Sequence, residues 1–153
     1  MKTIRIFAIL FLTAVFPGSC DWQTTRTVIG SGPVESEVRP VSDFTGVNVT
    51  GQCNTDISIG DSFYVELFAQ AQVLDVMTTE VRNDVLNIGF NPDFNVNTDE
   101  EISATIVLPS ITFVGLSGAG GFVLSGEKQA RLDIQISGAG DVRAFNLPVD
   151  VCN

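Results

Sequence analysis

Val114-Gly115-Leu116-Ser117-Gly118-Ala119-Gly120 has a near copy downstream, Gln135-Ile136-Ser137-Gly138-Ala139-Gly140. From Ser117 to Ser137 the period is twenty residues, and Leu124-Ser125-Gly126 marks a half-step between them. Each unit reads apolar, polar, apolar, then Ser-Gly, then a new strand. Phe122 and Leu124 follow the first turn. Leu132, Ile134 and Ile136 lead to the second, and Val142 and Ala144 leave it. Strands and glycine turns at a fixed period near twenty define a β-solenoid pattern, in which no rung can bury its inner face alone. Gly118, Gly120, Gly138 and Gly140 are therefore expected to be structural turn residues, with Leu116 and Ile136 as matching inward side chains. Glycine is required where φ is positive or where stacked turns crowd together.

The same period-two alternation extends upstream. Phe44, Val47 and Val49 lie in a stretch ending at Gly51. Thr55, Ile57 and Ile59 alternate with Asp56 and Ser58 up to Gly60-Asp61, and Phe63, Val65 and Leu67 continue beyond it. The pattern predicts two half-buried strands joined by a tight hairpin. Ala69–Met77 is the one place where a helical turn is expected, from its Ala, Gln and Leu content. A turn at Asn83-Asp84 precedes a strand carrying Leu86, Ile88 and Phe90. The polar stretch Asn91–Glu101 reads as a loop, after which Ile102, Ala104, Ile106 and Leu108 resume the alternation.

The N-terminus has the features of a targeting segment. Lys2 and Arg5 precede an apolar run from Ile6 to Phe16, long enough for a signal-peptide core and too short to span a bilayer. Pro17, Gly18 and Ser19 lead to Cys20, an arrangement that resembles a bacterial lipoprotein box, in which the thiol is diacylated and becomes the first mature residue. Pro17 departs from that pattern, which leaves ordinary cleavage of a secreted chain as the alternative. The expected organisation is a signal peptide over 1–19, a polar tether over 20–33 beginning at the candidate lipidated Cys20, and a β-repeat domain over 34–153.

The 153 residues carry a net charge of −10, and loss of residues 1–19 removes Lys2 and Arg5 but no acidic side chain. Such a charge argues against nucleic acid and against anionic headgroups as partners. Any membrane attachment is expected to run through the lipid. Besides Cys20 the chain has Cys53 and Cys152. In an oxidising compartment these are the candidate internal disulfide, and two buried thiols are the alternative.

Val41-Ser42-Asp43-Phe44, Val47-Asn48-Val49-Thr50-Gly51, Asp56-Ile57-Ser58-Ile59-Gly60-Asp61 and the two Ser-Gly-Ala-Gly turns resemble, in this order, the head GIN domain of putative auto-transporter adhesins. Those proteins are largely lipoprotein-like or secreted and come from Bacteroidetes and other Gram-negative bacteria. The resemblance covers about residues 34–153. It implies an all-β, right-handed β-helical superhelix with Ser-Gly turns, similar to pectin-lyase-like proteins but without their catalytic residues. It also implies a role in adhesion. Family members usually continue with further Ser-Gly repeats, so relative to them the chain looks shortened at its C-terminus.

Residues that carry catalysis are sparse. With no His, triads of the usual Ser-His-Asp or Cys-His kind and His-containing zinc sites are excluded. Gly30-Ser31-Gly32 precedes Pro33 and a strand pattern rather than a helix, so it is no phosphate loop. The glycine turns resemble calcium-binding nonapeptide repeats only superficially, since the spacing is twenty and only Gly140 is followed by Asp141. Asp99, Glu100 and Glu101 form the one dense acidic run, read as a solvated loop or a charged strand edge rather than a cation site. No catalytic residue, metal or cofactor is expected. The leading reading is a non-enzymatic cell-envelope binding or adhesion module that presents a β-helical surface to a glycan, a protein or a copy of itself. The alternatives are a polysaccharide-active β-helix enzyme and a structural or sensing lipoprotein of the periplasm.

Overall fold

A computed structural model describes residues 25–126, 129–146 and 148–152. Cys20 and the signal segment lie outside the described residues. Two short strands come first, β1 (Arg26–Ile29) and β2 (Val34–Val38). They are followed by β3 (Gly46–Gly51), β4 (Asn54–Ile59) and β5 (Tyr64–Gln70). One helical turn, α1 (Ala71–Leu74), falls where the Ala- and Gln-rich segment predicted it. β6 (Met77–Arg82) and β7 (Val85–Phe90) form an antiparallel hairpin. Its two-residue loop has positive φ at both Asn83 and Asp84, as a type I′ turn requires. β8 (Phe94–Asn97) and β9 (Ser103–Leu108) precede the repeat, which supplies β10 (Phe113–Gly118), β11 (Gly121–Ser125), β12 (Gln129–Gly138), β13 (Asp141–Phe145) and β14 (Val149–Cys152).

The fold is all-β. One six-stranded sheet has the order β14-β12-β10-β3-β7-β6, and the other β13-β11-β4-β9-β5-β2. The chain repeatedly places one strand in each sheet: β3 then β4, β10 then β11, β12 then β13. Within each sheet these successive strands pair in parallel. The twenty-residue period is a register, with Leu116 opposite Ile136, Ser117 opposite Ser137 and Gly118 opposite Gly138. A third copy lies on the other side of β10, where Thr50 and Gly51 stand opposite Ser117 and Gly118. The offset there is 67 residues, as the Thr45–Thr112 and Ser58–Ser125 hydrogen bonds also record. The intervening residues supply β6 and β7 to the first sheet and β5 and β9 to the second.

Inward side chains form layers because paired strands share a pleat. Val47, Leu86 and Val114 make one layer, Val49, Ile88 and Leu116 the next, and Ile57, Ile106 and Leu124 face them from the other sheet. All are buried, at roughly 1.5–3 kcal/mol for each fully buried side chain. Ile136 departs from expectation: it is 48% exposed, whereas Leu116 is 2% exposed. β14 pairs with the Gln129–Leu132 part of β12, so among the described residues no strand pairs with the Ile136 end on that side.

Three further expectations are corrected. The tether is not wholly unstructured: Arg26–Ile29 is a strand, paired in parallel with Phe94–Asn97 from the segment read as a loop. Buried Gln70 fixes this layer, since its amide donates to Gly32 O at 3.0 Å and its carbonyl oxygen accepts from Thr98 Oγ1 at 2.7 Å. Nor do β4 and β5 form a hairpin. β9 lies between them, parallel to β4 and antiparallel to β5. Gly60 extends the β4–β9 pairing by donating to Leu108 O at 3.0 Å, so the loop must step across a whole strand before β5 begins.

Candidate functional site

The outer face of the first sheet carries a registered grid of side chains. One row across β6, β7, β3, β10 and β12 is Arg82, Val85, Gly46, Phe113, Asp133, and the adjacent row is Glu80, Asn87, Asn48, Gly115, Gln135. The strands alternate, so these positions point away from the core. Gly46 and Gly115 lack side chains beside Phe113, and its ring occupies that space. Ring atoms lie 3.3 Å from where a Cβ on Gly46 would stand and 3.0 Å from one on Gly115. The ring thus lies along the sheet, half-buried. Beside it the Asn48 amide donates to Asn87 Oδ1 at 3.1 Å, and Asn87 Nδ2 donates to Val85 O at 3.0 Å. Arg82 pairs with Glu80, and Arg131 makes a forked pair with Asp133 at 3.0–3.2 Å. A shallow groove of about 530 Å³ runs over Phe113, Asn48, Asn87, Glu80 and Arg82.

The opposite sheet has a second shallow depression, about 430 Å³, between Asp56, Glu101, Asp141 and Arg143. Glu101 accepts from Asn54 Nδ2 at 3.0 Å, and Arg143 lies 3.7 Å from Asp141. Asp99, Glu100 and Glu101 do not converge with other ligating groups, since no cluster of three His, Cys, Asp or Glu able to hold a metal ion occurs among the described residues. Farther along this sheet Tyr64 donates to Glu66 at 2.8 Å, a bond that holds its phenol above the ordinary pKa.

The turn glycines form two columns between the sheets. Gly118 and Gly138 have φ of +143° and +134°. A Cβ on Gly118 would stand 2.2 Å from Gly51 O, and one on Gly138 2.1 Å from Gly118 O. Those carbonyls are fixed, because Ala119 N donates to Gly51 O at 3.1 Å and Ala139 N to Gly118 O at 2.9 Å. The second column is equally tight: a Cβ on Gly120 would approach Cys53 O to 2.1 Å, and one on Gly140 would approach Gly120 O to 2.2 Å.

The structure corrects the candidate disulfide. Cys53 and Cys152 are both free. Cys53 follows β3, whereas Cys152 lies on β14, three strands across the same sheet. Across the sheet alone that is about 14 Å at 4.7–4.9 Å per strand, twice what a disulfide spans, and Cys53 and Cys152 also lie toward opposite ends of the strands. Only Cys53 is buried. Burial pushes its thiol up to about 11, partly offset by the contact with Thr55 Oγ1 at 3.8 Å. At pH 8 iodoacetamide should therefore alkylate Cys152 in the native protein and Cys53 only after denaturation. Peptide mass spectrometry reads both, and equal rates would contradict the packing around Cys53.

The family of putative auto-transporter adhesins with a head GIN domain matches residues 43–152. The chain belongs to this family. Among solved structures the head GIN domain is similar to a putative adhesin from Bacteroides fragilis, with a TM-score of 0.73 and 15% identity over 80% of this chain and 57% of that one. A putative lipid binding protein from Parabacteroides distasonis aligns with a TM-score of 0.70 and 16% identity, over 83% and 65% of the two chains. A putative adhesin from Parabacteroides merdae follows at 0.67 and 16%, over 82% and 59%. At this identity the fold is what is shared. The chain spans less than two thirds of the length of these solved relatives. Among curated proteins no significant match is found.

Sequence reasoning singled out the turn glycines of the head GIN domain but not its outer grid. Phe113 occupies the polar phase of β10, between buried Val114 and the preceding loop. An aromatic on the outward phase, two residues before Gly115, was the available signal.

Proposed function

We propose that this head GIN domain is a non-enzymatic binding or adhesion module of the bacterial cell envelope, coiled as a β-solenoid and tethered through a lipid on Cys20. The family assignment is the observation that carries the reading. The parallel ladders support the solenoid: successive rungs contribute one strand to each sheet at a constant register. Outer faces built this way are rigid and polar, which suits recognition. Asp56, Glu80, Asp133 and Asp141 are all outward on these faces, and the chain has no His to serve as a general base beside them. The basic and apolar leader before Cys20 supports export and lipidation.

Labelling intact cells with an antibody to the domain tests the placement. Strong labelling without permeabilisation is expected for an adhesion module. Labelling only after permeabilisation would leave a periplasmic structural or sensing role. In parallel, mass spectrometry of the mature N-terminus should find a diacylated Cys20, and an unmodified peptide beginning beyond Cys20 would remove the anchor.

A further inference from the structure

We infer that the groove over Phe113 binds a neutral glycan chain, a step that rests on the binding-module reading and names its ligand class. Three features of the groove converge on this chemistry. The first is the ring itself. A phenylalanine on the outward phase of a sheet would ordinarily stand among polar neighbours with its apolar surface wasted. Here Gly46, opposite it on β3, and Gly115, two residues along β10, leave the sheet bare, so the ring lies down and presents an apolar surface bordered by amides. A pyranose offers the complementary surface, a face of axial C–H bonds ringed by hydroxyls.

The second feature is the set of polar groups at the ring's edge. Asn48 and Asn87 are planar amides fixed by their own hydrogen bonds and by the pairing of β3 with β7. Each amide combines donor and acceptor atoms, as does Gln135 across Gly115, and sugar hydroxyls need both. Few side chains must be ordered on binding, because the register has already placed these groups.

The third feature is charge. Arg82, the cation among the groove's lining residues, is paired with Glu80, and on neighbouring β12 Arg131 is paired with Asp133. Neither cation is spare for a phosphate, sulfate or uronate, although the ion pairs still offer oriented donors and acceptors. The overall charge of −10 further disfavours an anionic polymer. The groove is open along the sheet rather than closed, and at about 530 Å³ it has room for more than one sugar unit, which suits a chain rather than a free monosaccharide.

Affinity electrophoresis of the purified full chain tests this, with native gels containing yeast mannan, a β-glucan or xylan as neutral polymers and polygalacturonate or heparin as anionic ones. Retardation by at least one neutral polymer is expected, and none by the anionic ones. Phe113→Ala should weaken that binding about ten-fold or more, as loss of a central anchor does. Phe113→Tyr should retain it. Glu80→Ala and Arg82→Ala, both at exposed positions, should each weaken it about three-fold, the scale of one lost hydrogen bond. Phe145→Ala, an exposed ring on the other sheet, should leave it unchanged. If Phe113→Ala fails to fold, the Glu80 and Arg82 variants decide, and unchanged binding in both would overturn the site. No retardation by any neutral polymer, or retardation by the anionic ones alone, would overturn the ligand class while the cell-surface labelling still judges the binding-module reading on its own. Binding that survives in a folded Phe113→Ala protein would overturn the site but not the ligand.

Discussion

Gly118→Val should lower the stability of the domain by more than about 3 kcal/mol, enough to consume much of what a domain of this size possesses. Two costs combine. At φ +143° a side chain is strained by about 1–3 kcal/mol before it touches anything. A Cβ there then meets Gly51 O at 2.2 Å, a backbone atom rather than the end of a flexible side chain. Gly51 O cannot withdraw cheaply, because it accepts the Ala119 N–H. Gly118 also has Gly138 on its other side, so motion in either direction disturbs a neighbouring rung. Gly138→Val meets a similar overlap with Gly118 O but sits at an exposed position of β12, where the chain can yield more, and a loss of about 1–3 kcal/mol is expected. Outward, exposed Gln135 should tolerate Thr within about 0.5 kcal/mol. Urea denaturation of the three variants reads these values, and equal, small losses would mean that the glycine column is not crowded.

The period of twenty was legible because two of the three stacked turns share the same four residues. The third, Thr50-Gly51-Gln52-Cys53, was not, although its Gly51 has a φ of +101° and lies opposite Gly118. Its side chains match the others only at the glycine, and the 67-residue offset conceals the period. Equivalence there is set by backbone crowding, which constrains one position and leaves its neighbours free. The β1–β8 pair was hidden for another reason. Each strand has four residues: Arg26-Thr27-Val28-Ile29 does not alternate, and the alternation of Phe94-Asn95-Val96-Asn97 is too short to stand out within a polar stretch. Their pairing depends on a partner about seventy residues away, and on Gln70, which looks from the sequence like a helix former. The missing β4–β5 hairpin follows from the same limit: alternation specifies which face of a strand is buried, not which strand lies beside it.

The outer grid was still less legible. Asn48, Asn87 and Gln135 are ordinary outward residues when read one strand at a time. They become a set only when three strands are placed in register. Phe113 occupies the outward phase of its strand and was passed over, and the emptiness beside it comes from Gly46 on another strand. Sites of this kind are properties of pairing rather than of motif, which is why a search for local spacing finds only the turns.

The chain has eleven phenylalanines, and composition cannot say which of them hold the fold. Phe44 should be among the most costly to truncate. It is 1% exposed and belongs to the buried core, just before β3 enters its sheet. Its ring centroid lies 5.0 Å from that of Phe63, with the planes tilted by 51°, within the range of favourable aromatic pairs. Phe44→Ala should cost about 3–5 kcal/mol, from lost apolar burial and from a cavity that rigid strands on both sides cannot collapse to fill. The aromatic pair should account for about 0.5–1.5 kcal/mol of this, measurable as the coupling in a double-mutant cycle with Phe63→Leu. Phe44→Leu keeps most of the burial and should lose markedly less. Phe145, 55% exposed on β13, is the contrasting case, and its replacement by Ala should fall within about 0.5 kcal/mol. Comparable losses at Phe44 and Phe145 would place Phe44 outside the core and remove its pairing with Phe63 as a source of stability.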